Sequence, residues 1–280
     1  MVVDSAQISN GIHKASSGSN VSWIMDRVTD SHYINFEPLG KLYLPHIELL
    51  GFDISITRDV FIIWVVSVLL VVISIMAARA YKKSIVPKGL ANLFEIIIEF
   101  VRDEIVKPSI GKGYETYMPY MLTLFFFVLF CNMFGLIPVP NLVVPTGNIA
   151  VTATLAVISF LVIQYSGIKS YGWINYFKGL IPPGMPAWIL IFIVPLEILG
   201  LFTKPFALCI RLFANMIGGH VVIYSVIGLI IIMHTIYVSP VSVGFTLFVE
   251  LLEILVAVIQ AYIFVMLTSL FIGMAKHQEH

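Results

Sequence analysis

Glu197, Lys204 and Arg211 stand seven residues apart within PLEILGLFTKPFALCIRLFANMIGGH, residues 195–220. Seven helical steps return almost to the same azimuth, so the three charges form one axial stripe on an otherwise apolar helix. Arginine does not give up its proton, and a guanidinium in hydrocarbon costs several kcal/mol, so Arg211 must face a partner, a cavity or another subunit rather than lipid. His220 lies nine steps beyond, on the opposite side of the helix, which assigns the two groups to separate polar compartments. A second set follows on the next apolar run: Thr246, Glu253 and Gln260 share a face at sevenfold spacing, with Glu250 about 60° from Glu253. Two carboxylates, an amide and a histidine inside apolar sequence are the groups of a proton or cation path. The alternative use of the same groups is structural, with Glu250 or Glu253 paired to Lys204, Arg211 or His220 to hold two helices together.

The elements that must carry these groups are membrane spans. Hydrophobic residues make up 59% of the 280 and charged residues 11%, with a mean hydropathy of +0.97, which excludes an ordinary soluble domain. Cys131 and Cys209 lie inside apolar runs and read as buried thiols, and no metal-ligand spacing is present, so neither a metal nor a cofactor is expected. Nothing suggests contact with nucleic acid, and no signal-peptide apolar region precedes the polar N-terminus. The expected architecture is an all-α polytopic membrane protein. Residues 1–58 form an N-terminal extramembrane arm, with strand-like patches between Tyr33 and Thr57 suggesting a small hairpin, and 59–280 form the membrane domain.

Five membrane-embedded helices are expected, over about 60–78, 118–137, 148–168, 187–232 and 240–275. The first ends in RAYKKSIVPK, whose Arg79, Lys82, Lys83 and Lys88 mark a cytoplasmic flank and place the N-terminal arm outside. Over about 89–107, Leu90, Leu93, Phe94, Ile97, Val101 and Ile105 oppose Asn92, Glu95, Glu99, Arg102 and Asp103. This is an amphipathic helix at the cytoplasmic interface or, alternatively, one packed outside the membrane on a partner. Pro138, Pro140 and Pro145 divide the next uncharged run into a hairpin of two spans. Asn132, Asn148 and Gln164 are polar groups inside or at the ends of that hairpin, placed to line water or to bond neighbouring helices. As helices the last two apolar runs would measure about 70 and 55 Å against roughly 30 Å of hydrocarbon, so they must be steeply tilted, bent at Pro195 and Pro205, or both.

The run LFTKPFALCIRLFANMIGGH, followed by a helix ending LLEILVAVIQAYIFVMLTSLFIGMA, resembles subunit a of F-type ATP synthases, as do the FCNMFGLIP segment and the amphipathic helix after the first span. The resemblance runs from about Ile34 to the end of the chain. It implies the stationary proton-channel subunit of a rotary ATP synthase, with no catalytic site of its own and no cofactor. Its partners would be the c-subunit ring, the peripheral-stalk b subunits and the remainder of the complex, in a lipid bilayer. By similarity, Arg211 is the arginine facing the ring carboxylates. A fixed cation there keeps a passing carboxylate ionised and so blocks a direct leak between two offset half-channels. Asn215 matches a family polar position one turn beyond the arginine, and Gln260 the glutamine packed near it. In many bacterial members the position of His220 carries glutamate and that of Glu253 histidine, so the pair is retained here with its members exchanged. Gly135 and Asn148 fall where several bacterial relatives have aspartates, a loss that Glu250 could offset. Glu197, Lys204, Asn148 and Asn132 are the supporting polar groups. A bacterial inner membrane, with the N-terminus outside and the C-terminus cytoplasmic, fits the flanking charges. A secondary transporter would instead predict an internal repeat and a broken-helix substrate site, and the sequence has neither.

Overall fold

In the computed structural model, residues 33–36, 40–43, 48–49, 52–53, 57–83, 89–136, 144–179, 187–233 and 239–277 are described. The expected outer-loop prolines Pro138 and Pro140, Lys88 of the basic flank and residues 1–32 of the arm lie outside them. The arm contributes two antiparallel pairs where one hairpin is expected: β1 (Tyr33–Phe36) with β2 (Gly40–Tyr43), and β3 (Glu48–Leu49) with β4 (Phe52–Asp53). Each ladder is only a few residues long.

The rest of the described chain is helical. α1 (Arg58–Lys83) is apolar around its circumference beyond its first turn, where Asp59 suits the positive end of a helix. α2 (Leu90–Phe100) continues without a break into a π-helical segment, Val101–Val106, and then α3 (Lys107–Ile110), where a regular helix ending at 107 is expected. The widened turn rotates Val101, Ile105, Val106 and Ile110 into one buried set against the bundle, while Leu93, Ile96 and Phe100 remain exposed. On the polar side, Arg102 donates to Asp103 at 2.7 Å and holds that exposed carboxyl below its ordinary range.

α4 (Met118–Gly135) and α5 (Ile149–Tyr171) form the expected hairpin. Between them a 3₁₀ turn, Pro145–Gly147, turns back into the bundle: Thr146 is fully buried and Val144 packs with Met216 and Ala257. A short helix not expected from the sequence, α6 (Trp173–Lys178), follows Gly172, whose φ of 80° permits the sharp break. α7 (Ala187–Met233) and α8 (Ser239–Lys276) are the two long helices, and α7 is continuous through Pro195 and Pro205.

α8 is the centre of the molecule. It packs on α3, α4, α5 and α7, and its Ala257, Ala261, Phe264, Val265 and Ile272 are inaccessible. Its far end is clasped to α3: Lys276 donates to the carbonyl of Lys112, the His277 ring lies 3.1 Å from the carbonyl of Ile110, and Gly273 sits flush against the carbonyl of Ser109. α1 leans on α4 through Ile62, Val66 and Cys131. Among the described residues, five helices are long and apolar enough to cross a membrane. Many large apolar side chains of α7, among them Phe192, Leu196, Phe202 and Phe206, are exposed among the described residues.

Candidate functional site

The polar groups of α7 and α8 meet in antiparallel register, and the register orders them along the hairpin. Lys107, Lys112, Lys169, Lys178 and Lys276 gather at one end of the bundle, referred to below as the basic end. Toward the opposite end, Gly219 faces Glu253 so closely that a Cβ there would push the carboxylate aside. Glu253 is 8% exposed, and its Oε1 is buried with no hydrogen-bond partner among the described residues. The same holds for His220 Nε2 and Thr246 Oγ1. A buried polar atom left without a partner costs about 1–3 kcal/mol, and three such atoms lie along this seam among the described residues. Glu250 is half-buried on the same helix, and neither it nor Glu253 forms an ion pair among the described residues. The structural alternative, in which these acids tie the hairpin together through Lys204, Arg211 or His220, is therefore not what this arrangement does.

One step toward the basic end, Asn215 Nδ2 donates to Gln260 Oε1 at 2.9 Å and bridges the two helices. Gln260 is 2% exposed. Below this amide bridge, Arg211 lines a wide hollow of about 510 Å³ with Thr203, Lys204, Leu267 and Phe271, open along the exposed side of the hairpin. Arg211 makes no hydrogen bond or ion pair among the described residues. Arg211 and His220 thus occupy separate environments, as their spacing predicts, with the Asn215–Gln260 bridge between them. Lys204 stands over the Phe271 ring at 5.2 Å, and beyond it Glu197 borders a second, smaller hollow.

The supporting groups form a network at the end away from the lysines. Asn132, fully buried, donates to the carbonyl of Ala257 at 3.4 Å and accepts from Thr146 at 2.8 Å. Asn148 caps α5 by accepting from the Ala150 amide at 3.0 Å and donates to Asp59 at 2.7 Å. Of the two uses open to Asn132, Asn148 and Gln164, bonding to neighbouring elements is the one adopted, Gln164 accepting from Tyr176 at 2.7 Å. Sequence reasoning passed over Asp59, Thr146, Tyr176 and Gly219. Asp59 stands at the boundary of an apolar run and reads there as a flanking charge, although it is 2% exposed in the fold. Gly135 is backed by Val144 so tightly that any side chain would collide with it.

Over residues 60–273 the sequence matches the family described as ATP synthase A chain. It is 50% identical over 257 residues to an ATP synthase subunit a of Chloroherpeton thalassium, covering 90% of this chain and 76% of that one. It is 48% identical over 256 residues to an ATP synthase subunit a 2 of Chlorobaculum tepidum, covering 90% and 72%. An ATP synthase subunit a of an Anaeromyxobacter strain is 44% identical over 234 residues, covering 81% of this chain and 56% of its own length.

Proposed function

The chain belongs to the ATP synthase A chain family, the multi-pass membrane proton-channel subunit of the ATP synthase, and from that premise we propose how its geometry couples proton flow to rotation. The Arg211 side of the α7–α8 hairpin faces a ring of c subunits, each presenting one carboxylate at mid-membrane. The Thr246, His220 and Glu253 seam belongs to an outer half-channel, and the basic end to the cytoplasmic one. The N-terminal arm then lies outside and the C-terminus inside. The peripheral stalk, with its b subunits, holds this chain still while the ring turns.

The observation that carries this reading is the isolation of Arg211. It stands on a side of the hairpin that no other part of the described chain covers, without an ion pair among the described residues, and the part-buried Asn215–Gln260 bridge lies between it and the acids of α8. A guanidinium so placed stabilises an anion brought to it from outside and holds that anion ionised. A ring carboxylate passing Arg211 therefore cannot carry a proton directly across. It must load on one side and travel round the ring before it unloads on the other. His220 and Glu253 hold the exchangeable proton in the outer path, with Glu250 at its entrance, while Asn215 and Gln260 close the path off from the arginine.

The test is ATP-driven proton pumping by the assembled complex in inverted vesicles carrying Arg211→Ala, together with passive proton permeability after the soluble head is stripped. The expected result is lost pumping with passive flux retained or raised. Normal pumping would reduce Arg211 to a structural charge.

A further inference from the structure

α5 has 23 residues and is about 34 Å long, close to the roughly 30 Å of hydrocarbon, so its two ends lie at the two membrane surfaces. Past Lys169 and Tyr171 the chain breaks at Gly172 and turns into α6, which therefore sits at headgroup depth. For so short a helix, α6 is held firmly. The Tyr176 ring, 1% exposed, occupies a notch that Gly167 leaves open, and its hydroxyl donates to Gln164 at 2.7 Å. Anchoring one side decides what the other presents: Ile174 and Lys178, four residues apart, lie on the side away from Tyr176.

Charge at this corner is one-sided. Between Glu115 and Glu197 the sequence has no acid, and its only basic residues are Lys169 and Lys178. Both are exposed, and neither forms an ion pair among the described residues. Lys169 brings its ammonium to 5.8 Å from the centroid of the Tyr165 ring, one turn back along the span, a contact that leaves the positive charge without a counter-ion. Glu197 of α7 reaches the Tyr176 side of α6, where it borders a hollow that neither lysine lines. Trp173 and Ile174, between the two lysines in sequence, are 67% and 68% exposed. At headgroup depth such side chains sink below the phosphates while the lysine stems carry their ammonium groups up to them.

We propose that the α5–α6 corner binds an anionic phospholipid of the adjoining leaflet. Lys169 and Lys178 take its phosphate, Tyr165 and Trp173 lie at the glycerol level, and Ile174 meets the acyl chains. A zwitterionic headgroup carries its own cation beside the phosphate and gains little from the lysines, whereas an anionic one gains about fivefold in association from each. The Tyr176 anchor fixes the backbone carrying Lys178 relative to that carrying Lys169, so the site is formed before the lipid arrives. The assignment needs a chain embedded in a bilayer and is independent of what Arg211 faces.

The test uses the assembled complex with its other cysteines replaced and a bimane probe on one cysteine, introduced as Asn175→Cys at the corner or Ile149→Cys at the opposite end of α5. The complex is reconstituted in phosphatidylcholine vesicles containing a minor fraction of brominated phosphatidylglycerol or brominated phosphatidylcholine. Quenching of the probe gives the association of the anionic lipid relative to the neutral one. At low salt the ratio is expected to reach about twenty-fivefold at residue 175, and Lys169→Gln and Lys178→Gln should each lower it about fivefold. At residue 149 it should stay near one. Equal ratios at the two positions would reduce the preference to general attraction and overturn the site, as would a ratio at residue 175 unchanged by both lysine variants. A probe at residue 175 that neither lipid quenches would show the corner covered by another subunit, which also overturns the lipid assignment.

Discussion

At the level of single residues, the site is shaped as much by glycines as by charges. Gly219 leaves room for the Glu253 carboxylate, so Gly219→Ala is expected to displace the acid while leaving its chemistry intact. ATP-driven pumping should fall with little loss of assembled complex, and unchanged pumping would remove Glu253 from the path. Gly135 is held against Val144 in the same way. Gly135→Ala should destabilise the subunit by about 1–3 kcal/mol, the usual cost of overpacking a filled site. Val144→Ala in the same chain should recover part of that loss, a coupling that thermal denaturation of the purified complex in a double-mutant cycle can measure. The same collision explains why an aspartate at position 135 has no place here without a change at 144. Asp59 is a further carboxylate at this end of the bundle, brought to Asn148 by α1.

At the level of elements, the long helix α8 is fixed at both ends of its buried stretch by partners distant in sequence. Asn132 and Thr146 hold it near Ala257, and the loop around α3 clasps it at Gly273, Lys276 and His277. The Gly273 contact is with backbone, which cannot rotate away, so Gly273→Val should separate α8 from α3 whatever rotamer it adopts. The expected outcome is faster protease cleavage near residues 107–113 in the otherwise intact complex. Unchanged cleavage would mean that the clasp does not hold these segments together. The Arg102–Asp103 pair on the neighbouring helix is exposed and solvent-screened, so removing it should leave that cleavage rate unaltered.

For the whole molecule, length against bilayer thickness decides the geometry. α7 has 47 residues and would be about 70 Å long, more than twice the hydrocarbon layer. Its uncovered apolar side chains run along most of that length, so the helix must lie steeply oblique with both ends near the interfaces. Spin labels at cysteines replacing Leu196, Ile210 and Tyr224 should report depths that change by about 0.6 Å per residue, against 1.5 Å for an upright helix. An upright gradient would place one end of α7 in water and contradict the oblique hairpin. Such an inclination lets one helix carry polar groups from one face of the membrane toward the other while leaving a broad apolar flank uncovered.

The sequence by itself determined the spans, because burial in lipid demands long apolar runs that composition cannot disguise, and it determined the stripe of Glu197, Lys204 and Arg211, because helical periodicity is local. It also placed Arg211 and His220 on opposite sides of one helix. Only the tertiary structure decided which groups meet. The Asn215–Gln260 bridge depends on the register of α7 against α8, and the Asp59–Asn148 and Asn132–Thr146 bonds join segments whose separation carries no periodic signal. The helical segment after α2 shows the same limit: its apolar positions are visible in the sequence, but the π-helical turn that gathers them onto one buried face comes from packing against α8. Contacts between distant segments depend on how whole helices pack, and packing is a property of the assembled volume rather than of any local run of residues.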